Sequence, residues 1–446
     1  LKWQMRRQVS RSAQAGVAAA ASVLVISVLG ACSSGDAAGN SESASSGGSA
    51  ANGTTLTIGV ETGGPYTEFY KARTPQFTEK TGIQVEFQEV PHDNMHERFI
   101  TEAAAGTGSM DIYQTDQPWI AEFAKQGFLE PLDERLTAEE KGELLPAALE
   151  AVTYENKIYG LPYLVHTPIL YYRTDLFKQA GITKAPETWD EFREYAKRLT
   201  DKQAGVYGTI VEGKQSGEPV THLLDRFLQA GGSVLEDDKV VLDSQENVDA
   251  LNYMLAIQQQ DQSSPEGAVS YDNADAHNMF MQGKAAMVIN WPYMYAMAND
   301  PAQSKVAGQF AVAPQPRGKQ QASAIWSWGF GISASSKNKD SAMQFLKWAT
   351  SAEMMEELGK HFTNPVVKKA SIDALNSDIA LSADKKNAIV VMSKAVEYGK
   401  NVTTTPVFPA IQERLALSLS KIMTKQSTPA EELKAASQDI ESIVSQ

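Results

Sequence analysis

Cysteine is nearly absent: the 446 residues contain one, Cys32, so no disulfide can form within the chain. Positive charge is also short, with 40 Lys and Arg against 54 Asp and Glu, a formal net charge of −14. Nucleic-acid binding needs a basic face, which this balance excludes. Histidines number six and are scattered. Only His92 and His96 stand four apart, without the glutamate of the zinc-protease pattern, so the pair reads as a solvated helix start. No Gly-x-Ser-x-Gly elbow occurs. Gly208-Thr-Ile-Val-Glu-Gly213-Lys214-Gln215 approaches a phosphate-binding loop, but Gln215 stands where a Ser or Thr would hold magnesium. Tyr171-Tyr172 could serve ferric iron in some binding proteins; here the pair reads as strand residues. No metal, no other cofactor and no catalytic residue are expected. A long apolar run is missing too. The stretch from Ala13 to Leu29 is broken by Gly16, Ser22 and Ser27 and is weak for a membrane span.

What is present is ordinary for a globular body: 42% hydrophobic and 21% charged residues, in a length that suits two lobes. Lys2, Arg6, Arg7 and Arg11 precede the apolar stretch, which ends in Leu29-Gly30-Ala31-Cys32. A plain secretory signal with a chance cysteine is the simpler reading. Leu-Gly-Ala-Cys resembles a bacterial lipobox, however, which implies a lipoprotein signal peptide over 1–31 and lipidation of Cys32. Loss of residues 1–31 removes four positive charges and no negative one, giving −14 − 4 = −18. Residues 32–54 are mostly Ser, Ala, Gly, Asn, Asp and Glu, too polar to offset their ordering entropy, and are expected to form a flexible tether. Acyl chains contribute about 0.8 kcal/mol per buried methylene, so an acylated cysteine would hold the body at a membrane.

From Thr55 onward strand and helix patterns alternate. Leu56 to Val60, Ile83 to Val90 and Met110 to Tyr113 read as strands. Helices are expected over Phe69 to Lys80, stopping at Gly82, over Met95 to Ala105, and from Pro118 to near Gly127. This βαβαβα order predicts an α/β fold with a parallel sheet and helices on its faces. Thr137-Ala-Glu-Glu140, Thr188-Trp-Asp-Glu191 and Thr428-Pro-Ala-Glu431 fit the capping box, and Asp243-Ser244 marks a further helix start.

Several stretches carry a family likeness: Phe77-Thr-Glu-Lys-Thr-Gly-Ile83, Tyr159-Gly-Leu-Pro-Tyr163, Leu170-Tyr-Tyr-Arg-Thr-Asp-Leu-Phe177 and Pro186-Glu-Thr-Trp-Asp-Glu-Phe192. Phe280-Met-Gln-Gly-Lys-Ala-Ala-Met287, Ala334-Ser-Ser-Lys-Asn-Lys339 and Phe345-Leu-Lys-Trp348 follow in the same order. Together they resemble the extracellular solute-binding protein family 1, the maltose-binding-like receptors of ABC sugar importers. The resemblance spans nearly all of 55–446. It implies the two-lobe, periplasmic-binding-protein-like (Venus flytrap) α/β fold with three hinge crossovers, near Leu164–His166, around Gly308–Val312 and near Thr363–Pro365. The N-terminal lobe would then be 55–165 with 309–362, and the C-terminal lobe 166–308 with 363–446.

A sugar site needs aromatic plates for the C–H faces of the ring and a few polar groups for its hydroxyls. Trp291 follows the strand Ala286–Ile289 and stands at a sheet end, where α/β folds bind ligands. Trp326 and Trp328 alternate, so an extended segment puts both indoles on one face. All three would otherwise be core packing, as Trp189 and Trp348 within helix patterns are read to be. Asp116 stands at a strand-to-helix turn, where it either caps the next helix or, as its resemblance to the family's cleft aspartate implies, meets ligand. Glu61 follows the first strand, with Gly63-Gly64-Pro65-Tyr66 beside it, and Tyr66 joins the candidates. His166 lies at a crossover where relatives place an acid or amide. Thr403-Thr404-Thr405-Pro406 lacks the arginine that family members often place before that proline, a departure from disaccharide-type sites.

The expected function is capture of a mono- or oligosaccharide by lobe closure, with delivery to the permease subunits of an ABC importer. The chain is expected to be monomeric, lipid-anchored on the extracytoplasmic face of the cell membrane, and without nucleic-acid partners. Polyol or other solute binding is the nearest alternative. An extracellular carbohydrate-active hydrolase would need two carboxylates flanking one bond, for which Glu61 and Asp116 are the candidates.

Overall fold

The structure is a computed structural model that describes residues 53–445 except 237, 238, 365 and 404. The expected signal peptide, Cys32 and nearly all of the tether lie outside the described residues. Leu56, Ile58 and Val60 alternate inward from the strand Thr55–Glu61, which pairs in parallel with Gln84–Val90 on one side and Ile112–Asp116 on the other. Gly59 is required in this strand. A Cβ there would meet Phe99 of the helix His92–Ala105 at 2.7 Å and Met110 at 2.8 Å. The helix Pro65–Thr81 opens with proline and stops at Gly82, whose φ of 74° suits glycine.

Trp326–Ile332 and Leu161–His166 complete a five-stranded sheet, and Trp326–Ile332 runs antiparallel to both its neighbours. The parallel order read from sequence therefore covers only the first three strands. A second sheet is antiparallel throughout: Met287–Asn290, Ile169–Arg173 and Phe310–Ala313. Each sheet anchors its own apolar core. Tyr70, Phe77, Phe330 and Phe345 pack beside the first. In the other lobe Leu223, Phe227, Ile411 and Leu415 pack with Leu170 and Met287 of the second sheet. Each such buried side chain contributes about 1.5–3 kcal/mol.

The chain crosses to the second sheet at Thr167–Pro168, beside the expected position, and returns between Ala313 and Trp326. The expected return around Gly308–Val312 is too early, because Phe310–Ala313 bonds to Ile169–Arg173. The third change of side is displaced as well. Val366, Val367 and Leu375 pack on the first sheet's core, and the helix Ala383–Glu397 then bridges the two, with Ile389 on the first core and Ala388, Met392 and Ala395 beside Ile169 and Tyr171 of the second sheet. Lobe membership is set by partners far away in sequence, which local patterning does not report.

The capping boxes at Thr137 and Thr428 form in full. At Thr188 only half forms: its side chain accepts from Glu191 N, but the Glu191 carboxylate turns to Glu187 N at 2.7 Å. Ser244 caps the helix Gln245–Leu255. The segment resembling a phosphate loop is a packing device. A Cβ on Gly208 would sit 1.9 Å from the Ala196 carbonyl oxygen, and the helix that follows the segment starts only at Gly217. Among the described residues no helix is long and apolar enough to cross a membrane.

Candidate functional site

A cavity of about 690 Å³ lies between the ends of the two sheets, and Glu61, Tyr66, Asp116, His166, Trp291, Trp326 and Trp328 all line it. Strand ends bring most of them there. Glu61 ends its strand with its backbone N–H donating to Gln114 Oε1 at 2.7 Å. Its carboxylate folds over Gly64, where a Cβ would lie 2.2 Å from Glu61 Oε2. Tyr66 is mostly a core residue: it packs on Phe362 and Tyr163, and its hydroxyl accepts from Asn364 Nδ2 at 2.7 Å. Asp116 makes no side-chain capping bond deeper in the helix Gln117–Lys125, the Gln117 N–H being the backbone donor that acts on its carboxylate, and it lines the cavity.

His166 and Trp326 are paired across adjacent strands. The imidazole of His166 stacks on Trp291 with centroids 4.5 Å apart and planes 23° from parallel. Trp291 meets Trp326 edge to face at 6.3 Å and donates its indole N–H to Glu218 Oε2 at 3.0 Å. Trp328 leans on His92 and Trp119. Two buried atoms on these rings, His166 Nδ1 and Trp326 Nε1, have no hydrogen-bond partner among the described residues. Tyr293 adds a hydroxyl 3.0 Å from His277 Nδ1.

Charge is concentrated here. Burial raises Asp116 to about 7, opposed by His92 and reinforced by Glu218 and Glu61. His92 goes the other way. Burial lowers it, but Asp93, Glu218, Glu61 and Asp116 together outweigh that and hold it protonated, up to about 10. Lys214 pairs with Asp272 at 2.7 Å and reaches Asp93 at 3.7 Å. His92 does begin the helix His92–Ala105, as expected, but it and His96 are half-buried rather than fully solvated. Both line the cavity, and His96 Nε2 lies 2.7 Å from Glu122 Oε2. Among the described residues no three His, Cys, Asp or Glu side chains group as a metal site.

The sequence profile of the bacterial extracellular solute-binding proteins matches residues 62–356. The chain belongs to that family. A mannitol-binding protein of Pseudomonas aeruginosa is 28% identical over 362 residues, 77% of this chain and 82% of the relative. An erythritol/L-threitol-binding protein of Mycolicibacterium smegmatis is 29% identical over 393 residues, 81% of this chain and 82% of the relative. The fold is that of two-domain periplasmic binding proteins. Maltose-bound T. maritima MalE3 superposes with a TM-score of 0.81 at 27% identity, covering 87% of this chain and 99% of that one.

Sequence reasoning about this solute-binding protein missed His92, Trp119, Lys214, Glu218 and Tyr293. Trp119 could have been found three residues after Asp116. Glu218 carries no local signal beyond its place in the first turn of the helix Gly217–Ala230.

Burial holds His166 down to about 3, far below the usual imidazole value. The unfolded chain takes up this proton near pH 6.5 and the folded one only near 3, so the group's stabilisation is lost as pH falls through that window. The slope is about 1.4 kcal/mol per pH unit. Urea unfolding of His166→Gln should lose stability less steeply from pH 6 to 4 than the parent; parallel slopes would contradict the assignment.

Proposed function

We propose that this protein is the receptor of an ABC importer for a small carbohydrate or polyol, bound between the lobes at the site described. The observation that carries the reading is the meeting of Trp291, Trp326 and Trp328 with carboxylates of both lobes in one cavity. Indoles cover the C–H faces of a polyhydroxylated chain or ring, and Glu61, Asp116 and Glu218 accept from its hydroxyls. The volume suits a guest of one to a few sugar units. Relatives that bind mannitol and erythritol or L-threitol, and a structural neighbour with maltose, support this class.

Glu61 and Asp116 belong to the lobe built on the first sheet, Glu218 and Trp291 to the lobe built on the second. A guest touching both favours the closed form, because only that form satisfies both sets at once. The crossovers at 167–168, at 314–325 and near the helix Ala383–Glu397 act as the hinge, and the closed shape is what the permease recognises. The mature protein begins at a lipidated Cys32, is tethered by 33–54 to the extracytoplasmic face of the membrane, and works as a monomer.

A thermal-shift screen of neutral monosaccharides, disaccharides and alditols tests the binding reading. A true ligand at one hundred times its Kd adds about 2.7 kcal/mol, a rise of several degrees, and is recovered unchanged. No shift with any member, or recovery of a cleaved product, would overturn it.

A further inference from the structure

The balance of charge in the cavity points to something the neutral-sugar reading does not require. No arginine lines it, and its one lysine, Lys214, is occupied by Asp272 and Asp93. Among the described residues lining the cavity, His92 is the cation whose charge acts on Glu61 and Asp116, and Glu218 acts on it in turn. These carboxylates come from opposite lobes, so closure drives like charges together in a place shielded from water. Burial is the main cause of the rise of Asp116 to about 7, and the facing Glu218 and Glu61 add to it. Glu218 is oriented toward this wall, Trp291 Nε1 donating to one of its oxygens at 3.0 Å. Independently, the buried and unpartnered Trp326 Nε1 and His166 Nδ1 mark this wall as one that a guest completes.

We propose that the cavity selects by charge: hydroxylated guests bearing an ammonium group bind most tightly, neutral ones less tightly, and carboxylate-bearing ones are excluded, with Glu218 a specificity-determining residue. An ammonium group between the two lobes' carboxylates removes the repulsion that closure creates and donates to as many as three acceptors. A carboxylate there adds to the repulsion and finds no free cation. This rests on the carbohydrate reading above.

Calorimetry with matched probes tests it: D-glucitol, D-mannitol and D-galactitol, each with its 1-amino-1-deoxy and aldonate counterparts, and the three parent hexoses with their 2-amino and uronate forms. For at least one skeleton the amine should bind about tenfold or more tighter than the neutral probe, and the acid about tenfold or more weaker. The amine's advantage should shrink with added salt in the unaltered protein, and the amine-to-neutral ratio should fall in Glu218→Gln. A neutral probe that matches or exceeds its amine on every skeleton that binds overturns the charge selection and leaves the carbohydrate reading standing. An acid bound as tightly as its neutral partner does the same. Failure of every probe overturns the charge selection, and the carbohydrate reading falls with it only if the disaccharides of the thermal-shift screen fail as well.

Discussion

Trp291→Ala is expected to weaken ligand binding by about a hundredfold or more, measured by calorimetry against the best neutral probe. The substitution removes the plate that His166 stacks on, the edge that Trp326 packs against, and the N–H that holds Glu218. Three wall elements are thus released by one change. Trp291→Phe keeps an aromatic face but not the N–H, so it should fall between the parent and the alanine variant. Trp291 also packs in a core, so alanine will cost stability, and cooperative unfolding by circular dichroism must be retained for the comparison to count. Parent-like affinity in a folded Trp291→Ala protein would remove the indole wall from the binding reading.

The second large effect is on stability. Asp225 is fully buried on the helix Gly217–Ala230, and its carboxylate accepts from Ala324 N at 2.7 Å, Ser323 Oγ at 2.9 Å and Gln315 Nε2 at 2.6 Å. Gln315 Nε2 also reaches the Pro168 carbonyl at 2.9 Å. One acid thereby ties the helix carrying Glu218 to two crossovers, and fixes the segment just before Trp326. Asp225→Ala leaves the Ala324 N–H and the Ser323 hydroxyl buried without this acceptor, while Gln315 Nε2 keeps the Pro168 carbonyl, a loss of about 3–5 kcal/mol. Asp225→Asn keeps one acceptor and should lose less. Urea unfolding checks both, and a loss below about 1 kcal/mol for alanine would show that the network relaxes around the gap.

Much of this was legible because it is local. The alternation of Leu56, Ile58 and Val60, the stop at Gly82 and the capping boxes at Thr137 and Thr428 depend on residues within a few positions of each other. Glu61, Asp116, His166 and Trp291 could be picked out because each sits at or just past a strand end, where an α/β sheet opens to ligand. Their neighbours could not. Glu218 meets Trp291 across 73 positions, and His92 faces carboxylates on three other segments.

By itself the sequence determined the elements, the α/β class and which strand ends carry aromatic and acidic groups, since periodicity and capping act over one or two turns. The tertiary structure alone decided that Phe310–Ala313 joins the second sheet, that His92 is a charged wall residue, and that Glu218 opposes Glu61 and Asp116. Hydrogen-bond partners and electric fields act through space, and the distance along the chain carries no record of them.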